Sequence, residues 1–181
     1  MAIDMFLNLG ATIKGETQDK AQKAAGDIDV LAWSWGASNA GSFHTGGGGG
    51  AGKANFQDIS ITKYLDKSST AILSALAKGS HIPVAKLLVR KAGEGQQKYL
   101  EITMTKVLVT SLSTGGSGGE DRLTENISLN FAEVKMEYFL QNEKGVTASG
   151  GVFNYDIAGN VAKYSHAAGA WLPRLFFHLF F

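Results

Sequence analysis

Residues 125–140 read ENISLNFAEVKMEYFL and residues 98–112 read KYLEITMTKVLVTSL. In the first stretch Ile127, Leu129 and Phe131 share one parity, whereas Val134, Met136 and Tyr138 share the other. Alternation of this kind marks a strand with one buried face, because successive side chains point to opposite sides of a sheet. The alternation slips by one residue near Ala132 and Glu133. A slip turns the apolar set to the wrong face unless the backbone bulges or bends sharply at that point. The second stretch slips in the same way, with Leu100, Ile102 and Met104 followed by Val107 and Val109. Two long bent strands suit a closed barrel.

The rest of the chain agrees with an all-β reading. Ile3, Met5, Leu7 and Leu9 alternate across a strand at 3–9. In IDVLAWSWGAS, Leu31, Trp33 and Trp35 fall on one side, with Val30, Ala32 and Ser34 on the other. Further strands are expected at 56–62, 84–91 and 151–158. One helix is expected at 69–78, in KSSTAILSALAKG: Ser68 or Ser69 would cap it, Ile72, Leu73 and Leu76 form its stripe, and Gly79 suits a left-handed stop. These elements make a barrel or sandwich with one short helix.

Composition narrows the function classes. With 181 residues the chain has room for one domain of ordinary size. Seventeen basic residues against sixteen acidic ones give no broad positive field, which argues against nucleic acid as a partner. There is no cysteine, so disulfide frameworks, thiolate metal sites and thiol catalysis are excluded. The start, MAIDMFLNLG, has neither a basic region nor a long apolar stretch, so no signal peptide is expected. No run of about 18 apolar residues predicts a membrane-spanning helix.

Motifs with a chemical reading are few. In Gly46–Lys53, GGGGGAGK, the spacing of Gly47, Gly52 and Lys53 fits a P-loop, but Ala54 stands where a magnesium-holding hydroxyl is needed and strand-like sequence follows in place of a helix. A long interaction loop is the better reading. The cluster STGGSGGE, 113–120, reads as a connector. His44, His81, His166 and His178 have no ligand spacing, and Glu16, Asp27, Asp29, Asp58 and Glu133 are too scattered to pair as acid and base. Trp33 and Trp35 fit core packing. No catalytic set, cofactor site or metal site is expected, and the chain reads as a structural subunit.

Taken together, MAIDMF, IDVLAWSWG, GGGGGAGK, ISITKYLDKSS and VLVTSLSTGGSGGEDRLTENISLNFAEVK resemble the Hcp family, the haemolysin-coregulated proteins of bacterial type VI secretion. The resemblance runs from about Met1 to Val161. It implies a small all-β barrel of two antiparallel sheets flanked by one short α-helix. Six copies would close a homohexameric ring, and rings would stack into a hollow tube driven by a contractile sheath. Sheath, spike and effector proteins are the implied partners. The implied location is the cytoplasm before firing and the outside of the cell afterwards, without a signal peptide. By the same resemblance Ser34, in LAWSWG, lines the lumen that holds effectors. The loop Gly41–Lys53 would make the ring-stacking contacts, through Gly41, Ser42, Phe43, His44, Gly46, Gly47, Gly48, Gly49, Gly50 and Lys53.

The end of the chain departs from the family pattern. Residues 1–163 form the expected barrel domain. Residues 164–181, YSHAAGAWLPRLFFHLFF, are an atypical hydrophobic tail, too short to span a bilayer and interrupted by Pro173 and Arg174. A read-through or cloning scar, a natural extension that docks on a partner, and a membrane-touching segment are the three explanations, the first being favoured. A family member with an appended catalytic domain does not fit, because only about 20 residues follow the resemblance.

Overall fold

The computed structural model describes residues 3–41, 52–92, 96–119, 121–141 and 147–163. In chain order its elements are β1 (Ile3–Asn8), β2 (Ile28–Ser34), β3 (Ala37–Ser38), β4 (Asn55–Phe56), β5 (Ile59–Tyr64), α1 (Ser68–Lys78), β6 (Ile82–Lys91), β7 (Lys98–Gly115), β8 (Thr124–Gln141), β9 (Thr147–Asp156) and β10 (Val161–Ala162). Among the described residues there are two antiparallel sheets. One is eight-stranded, in the order β10-β9-β8-β5-β2-β1-β6-β7, and closes through an additional β7–β8 pairing; the other is the β3–β4 ribbon. Six strands therefore make a closed barrel, as expected, and β9 with β10 overhangs it.

The two stretches that suggested a barrel are its longest strands. Leu100, Ile102, Met104, Val107 and Val109 of β7 are buried together with Ile127, Leu129, Phe131 and Val134 of β8. The parity slips are absorbed by a shared bend. Thr105 pairs with Glu133 and Val107 with Phe131, so register is kept across the bend. Between them Lys106 takes a left-handed backbone, φ 55°, and the Ala132 carbonyl accepts the Ile157 N–H at 2.9 Å. The bend lets one strand line the barrel wall and continue into the overhang. Along one edge β8 pairs with β5 from Thr124 to Leu129 and then with β9 from Glu133 onward.

The core is filled by the inward rows of all six barrel strands, with Leu7, Ile28, Ile61, Leu87, Ile102 and Ile127 fully buried. Helix α1 lies against β7, inserting Ile72, Ala75 and Leu76. Leu73 is 51% exposed; it sits about 100° around the helix from Ile72, outside the stripe expected for it. The capping also differs from expectation. Ser68 is already helical, and the Asp66 carboxylate accepts its N–H at 2.9 Å, while Ser69 Oγ accepts the Asp66 N–H at 3.1 Å. This is the reciprocal logic of a capping box, begun by an aspartate. Gly79, at φ 61°, ends the helix, with its N–H on Leu76 and that of Ser80 on Ala75.

The strand β2 corrects a second expectation. Val30 is buried and Leu31 is exposed, the reverse of simple alternation with Trp33. A register shift between Val30 and Ala32 explains it: Val30 pairs with Lys63 but Ala32 with Thr62. The bulge at Leu31 changes parity, so that Ile28 and Val30 face inward before it and Trp33 after it. Trp33 and Trp35 pack against the core as expected.

Candidate functional surface

The outward face of β2–β5–β8–β7 follows from the same alternation that builds the core. Ile59 and Ile61 point inward on β5, so Ser60 and Thr62 point outward; Ile127 and Leu129 do the same for Asn126 and Ser128 on β8. The registers then place Ser34 opposite Ser60, Ser60 opposite Ser128, and Ser128 opposite Ser111. Four serines from four strands lie abreast, across about 14 Å at the usual strand spacing. The adjacent row is Ala32, Thr62, Asn126 and Ser113, in which Thr62 Oγ1 and Asn126 Oδ1 are 2.6 Å apart.

Small hydroxyl and amide side chains, with Ala32, make this pair of rows smooth and uncharged. Its nearby charge, Asp58, is held by Thr110, which donates to Oδ2 at 2.6 Å, and by Asn130, which donates to Oδ1 at 2.7 Å. Ser34 is exposed on this face, on the side of β2 opposite Trp33, which is where the sequence reading placed it. Ser60, Ser111, Ser128 and the Asp58 cluster were not singled out from sequence. Their signal was present as the polar parity of strands read only for their apolar one.

The glycine loop leaves the barrel through the β3–β4 ribbon. Its base is fixed by aromatic packing: Trp35 stacks on Phe56 at 6.0 Å, and its Nε1 donates to the Gln57 carbonyl at 3.0 Å. Phe56 in turn meets Tyr155 of β9 at 5.3 Å. Of the residues expected to contact the next ring, Gly41 and Lys53 lie on the described ends of this arm. Ser42, Phe43, His44, Gly46, Gly47, Gly48, Gly49 and Gly50 lie outside the described residues. The segment after Lys53 enters β4, not a helix, so a phosphate-binding helix N-terminus does not follow the glycines.

Of the scattered carboxylates, Asp27, Asp58 and Glu133 have separate partners. Asp27 accepts from Asn8 Nδ2 at 2.5 Å, and Glu133 binds Lys163 at 2.6 Å; this pairing raises the Lys163 pKa above its ordinary value. Asp19 is bound to the buried Arg90, whose guanidinium holds that carboxyl below the usual aspartate range. Among the described residues no three His, Asp or Glu side chains converge to hold a metal ion. His81 is exposed beside an open, mainly apolar cleft, while His44, His166 and His178 lie outside the described residues. No helix among the described residues is long and apolar enough to cross a membrane.

One polar cluster is interior. Lys63 is fully buried and directly opposite Glu125 in the β5–β8 ladder. Its Nζ lies 2.6 Å from Glu125 Oε1 and 2.9 Å from Asp66 Oδ1, tying the helix cap to the barrel wall.

Comparison with known proteins places this architecture. Residues 6–138 match the family model described as type VI secretion system effector, Hcp. The chain is 56% identical over 163 residues to protein hcp1 of Pseudomonas aeruginosa, covering 89% of this chain and 99% of that protein. A solved type six secretion system protein superposes with a TM-score of 0.82 at 28% identity, over 90% of this chain and all of that one. Hcp1 of Salmonella typhimurium does so with a TM-score of 0.70 at 30% identity and the same coverage. The chain therefore belongs to the Hcp family of type VI secretion system proteins.

Proposed function

We propose that this chain is a structural, non-catalytic subunit of the type VI secretion inner tube, and that residues 1–163 carry this role. Six copies close a ring, rings stack into a hollow tube, and effector proteins are held in the lumen. Sheath, spike and effectors are its partners. The subunit resides in the cytoplasm before firing and is then delivered outside the cell.

The observation that supports the cargo role best is the row Ser34, Ser60, Ser128 and Ser111. A tube that passes varied folded proteins needs a wall with no protruding side chain and little fixed charge, since a strong field of one sign would retain or repel cargo by charge alone. Four short hydroxyls on a rigid sheet meet that need. The β3–β4 ribbon, anchored by Trp35, holds the two ends of the Gly41–Lys53 segment together, and a loop held this way suits contact with the next ring. Heterologous contacts of this kind close into a ring or extend as a stack according to their rotation.

Light scattering after size exclusion tests assembly: six chains of 19.2 kDa give about 115 kDa, and a clean monomer would remove the ring. The Ser34→Gln variant tests the wall. It should assemble normally and retain less cargo, because a longer side chain then rises from the row in every subunit. Undiminished cargo retention by a folded Ser34→Gln ring would refute the lumen assignment.

A further inference from the structure

The two uncharged rows built around Ser34, Ser60, Ser128 and Ser111 end at a carboxylate. Asp58 immediately precedes β5, two residues before Ser60, so it continues the outward side of that strand. Its side chain is gripped from two other strands: Thr110 of β7 donates to Oδ2 and Asn130 of β8 to Oδ1. Asp58 is half-buried, and Thr110 and Asn130 are exposed. An ionised carboxylate offers about four acceptor positions. These two donors use one on each oxygen and leave the others open to a ligand. None of the ion pairs among the described residues includes Asp58. Its charge is therefore fixed in place, accessible and not neutralised by a neighbouring cation.

At the far end of the same face, where β5 closes at Tyr64, both signs are present. Asp29 lies one step beyond the Val30–Lys63 pair, and Asp121 lines a hollow with Arg122, whose guanidinium sits 4.0 Å over the Tyr64 ring. The chain as a whole carries a net charge of only +1, so it exerts no general pull on cations. We propose that Asp58 selects cargo: it binds an arginine or lysine side chain on the surface of a basic effector protein, and Thr110 and Asn130 position it for that contact. This rests on the reading of the serine row as lumen wall. In a ring, six copies set six fixed carboxylates at one level. Each contact alone is weak, as exposed ion pairs are, but a cargo that touches several at once gains by their proximity. A carboxylate already held in place needs no further ordering on binding. Screening confines its influence to about 8 Å at physiological salt, so the uncharged rows stay neutral to cargo.

The probe is a rhodamine-labelled oligo-arginine peptide, with an oligo-glutamate peptide as its opposite, added to the full-length protein at physiological salt and followed by fluorescence anisotropy. Asp58→Asn keeps the shape of the side chain, which can accept from Asn130 while donating to Thr110. It should bind the arginine peptide at least about fivefold more weakly than the native ring. Glu101→Gln makes the same change of charge on β7, between Leu88 and Glu137 and away from the serine row; it should bind as the native ring does. The glutamate peptide should bind none of the three proteins. Undiminished binding by Asp58→Asn, an equal loss in Glu101→Gln, or equal binding of both peptides would overturn the assignment. Light scattering on the same samples separates it from the reading beneath it: a monomeric native chain removes both, whereas an intact Asp58→Asn ring with native peptide binding removes this inference alone.

Discussion

Lys63→Met removes a charge that the barrel has buried without access to solvent. The three protons of Nζ are shared among four acceptors: Glu125 Oε1 at 2.6 Å, the Tyr64 carbonyl at 2.8 Å, Asp66 Oδ1 at 2.9 Å and Ser69 Oγ at 3.2 Å. Methionine keeps the length and the unbranched stem, so packing changes little. Glu125, 1% exposed, is left with the Ser69 hydroxyl at 2.8 Å, while its Oε2 has no partner among the described residues even in the native chain. Removing one member of a buried pair costs about 3–5 kcal/mol, most of it the penalty of the orphaned charge. For a chain of this size that is about 6–20 °C in Tm. The Lys63→Met/Glu125→Met double variant removes the stranded carboxylate as well and should return to within about 2 kcal/mol of the native protein. Denaturant and thermal unfolding of the three proteins at one concentration give the coupling directly. A loss below about 1 kcal/mol in Lys63→Met, or a double variant no better than the single one, would refute the reasoning.

Two further outcomes follow from polar and steric detail near the amino terminus. Arg90 lowers the Asp19 pKa, so the pair's contribution is complete above the ordinary aspartate range, about pH 4, and is lost as pH falls through the lowered folded value. Asp19→Asn should therefore be less stable at neutral pH yet lose less between about pH 5 and pH 3 than the native chain; parallel urea midpoints would show the pair irrelevant. At Gly15 an added Cβ would lie 2.2 Å from the Asp27 carbonyl oxygen and 2.7 Å from Ile28 Cα, both backbone atoms that cannot swing aside. Gly15→Ala should cost about 1–3 kcal/mol, as overpacking does, and a native Tm would show that the 15–27 segment yields freely.

The fold was largely legible because its core rows are long and periodic on either side of their slips. The slips after Met104 and near Ala132 and Glu133 announced the shared bend at Lys106 and Ala132, since two apolar sets of opposite parity cannot otherwise reach one interior. The bulge at Leu31 was not legible, because the bulky Leu31, Trp33 and Trp35 imitate unbroken alternation. Asp66 was missed as a cap because a Ser-Ser pair stood at the expected place. Ser34 could be put opposite the tryptophans from sequence, but its row could not be assembled. That row depends on three inter-strand registers, and no single strand encodes them. The buried Lys63 was unreadable for the same reason: lysine on an inward parity gains meaning only when Glu125 is found across the ladder.

β8 runs as one backbone from the barrel wall, between β5 and β7, to the overhang, between β7 and β9. Its cross-strand bonds lie roughly perpendicular to its axis. A pull directed along β8 therefore strains many of them at once, in shear. A sideways pull on β9 would open its ladder one bond after another. A subunit gripped by its overhang thus passes axial load into the barrel as a whole and yields first at the β8–β9 seam when loaded from the side.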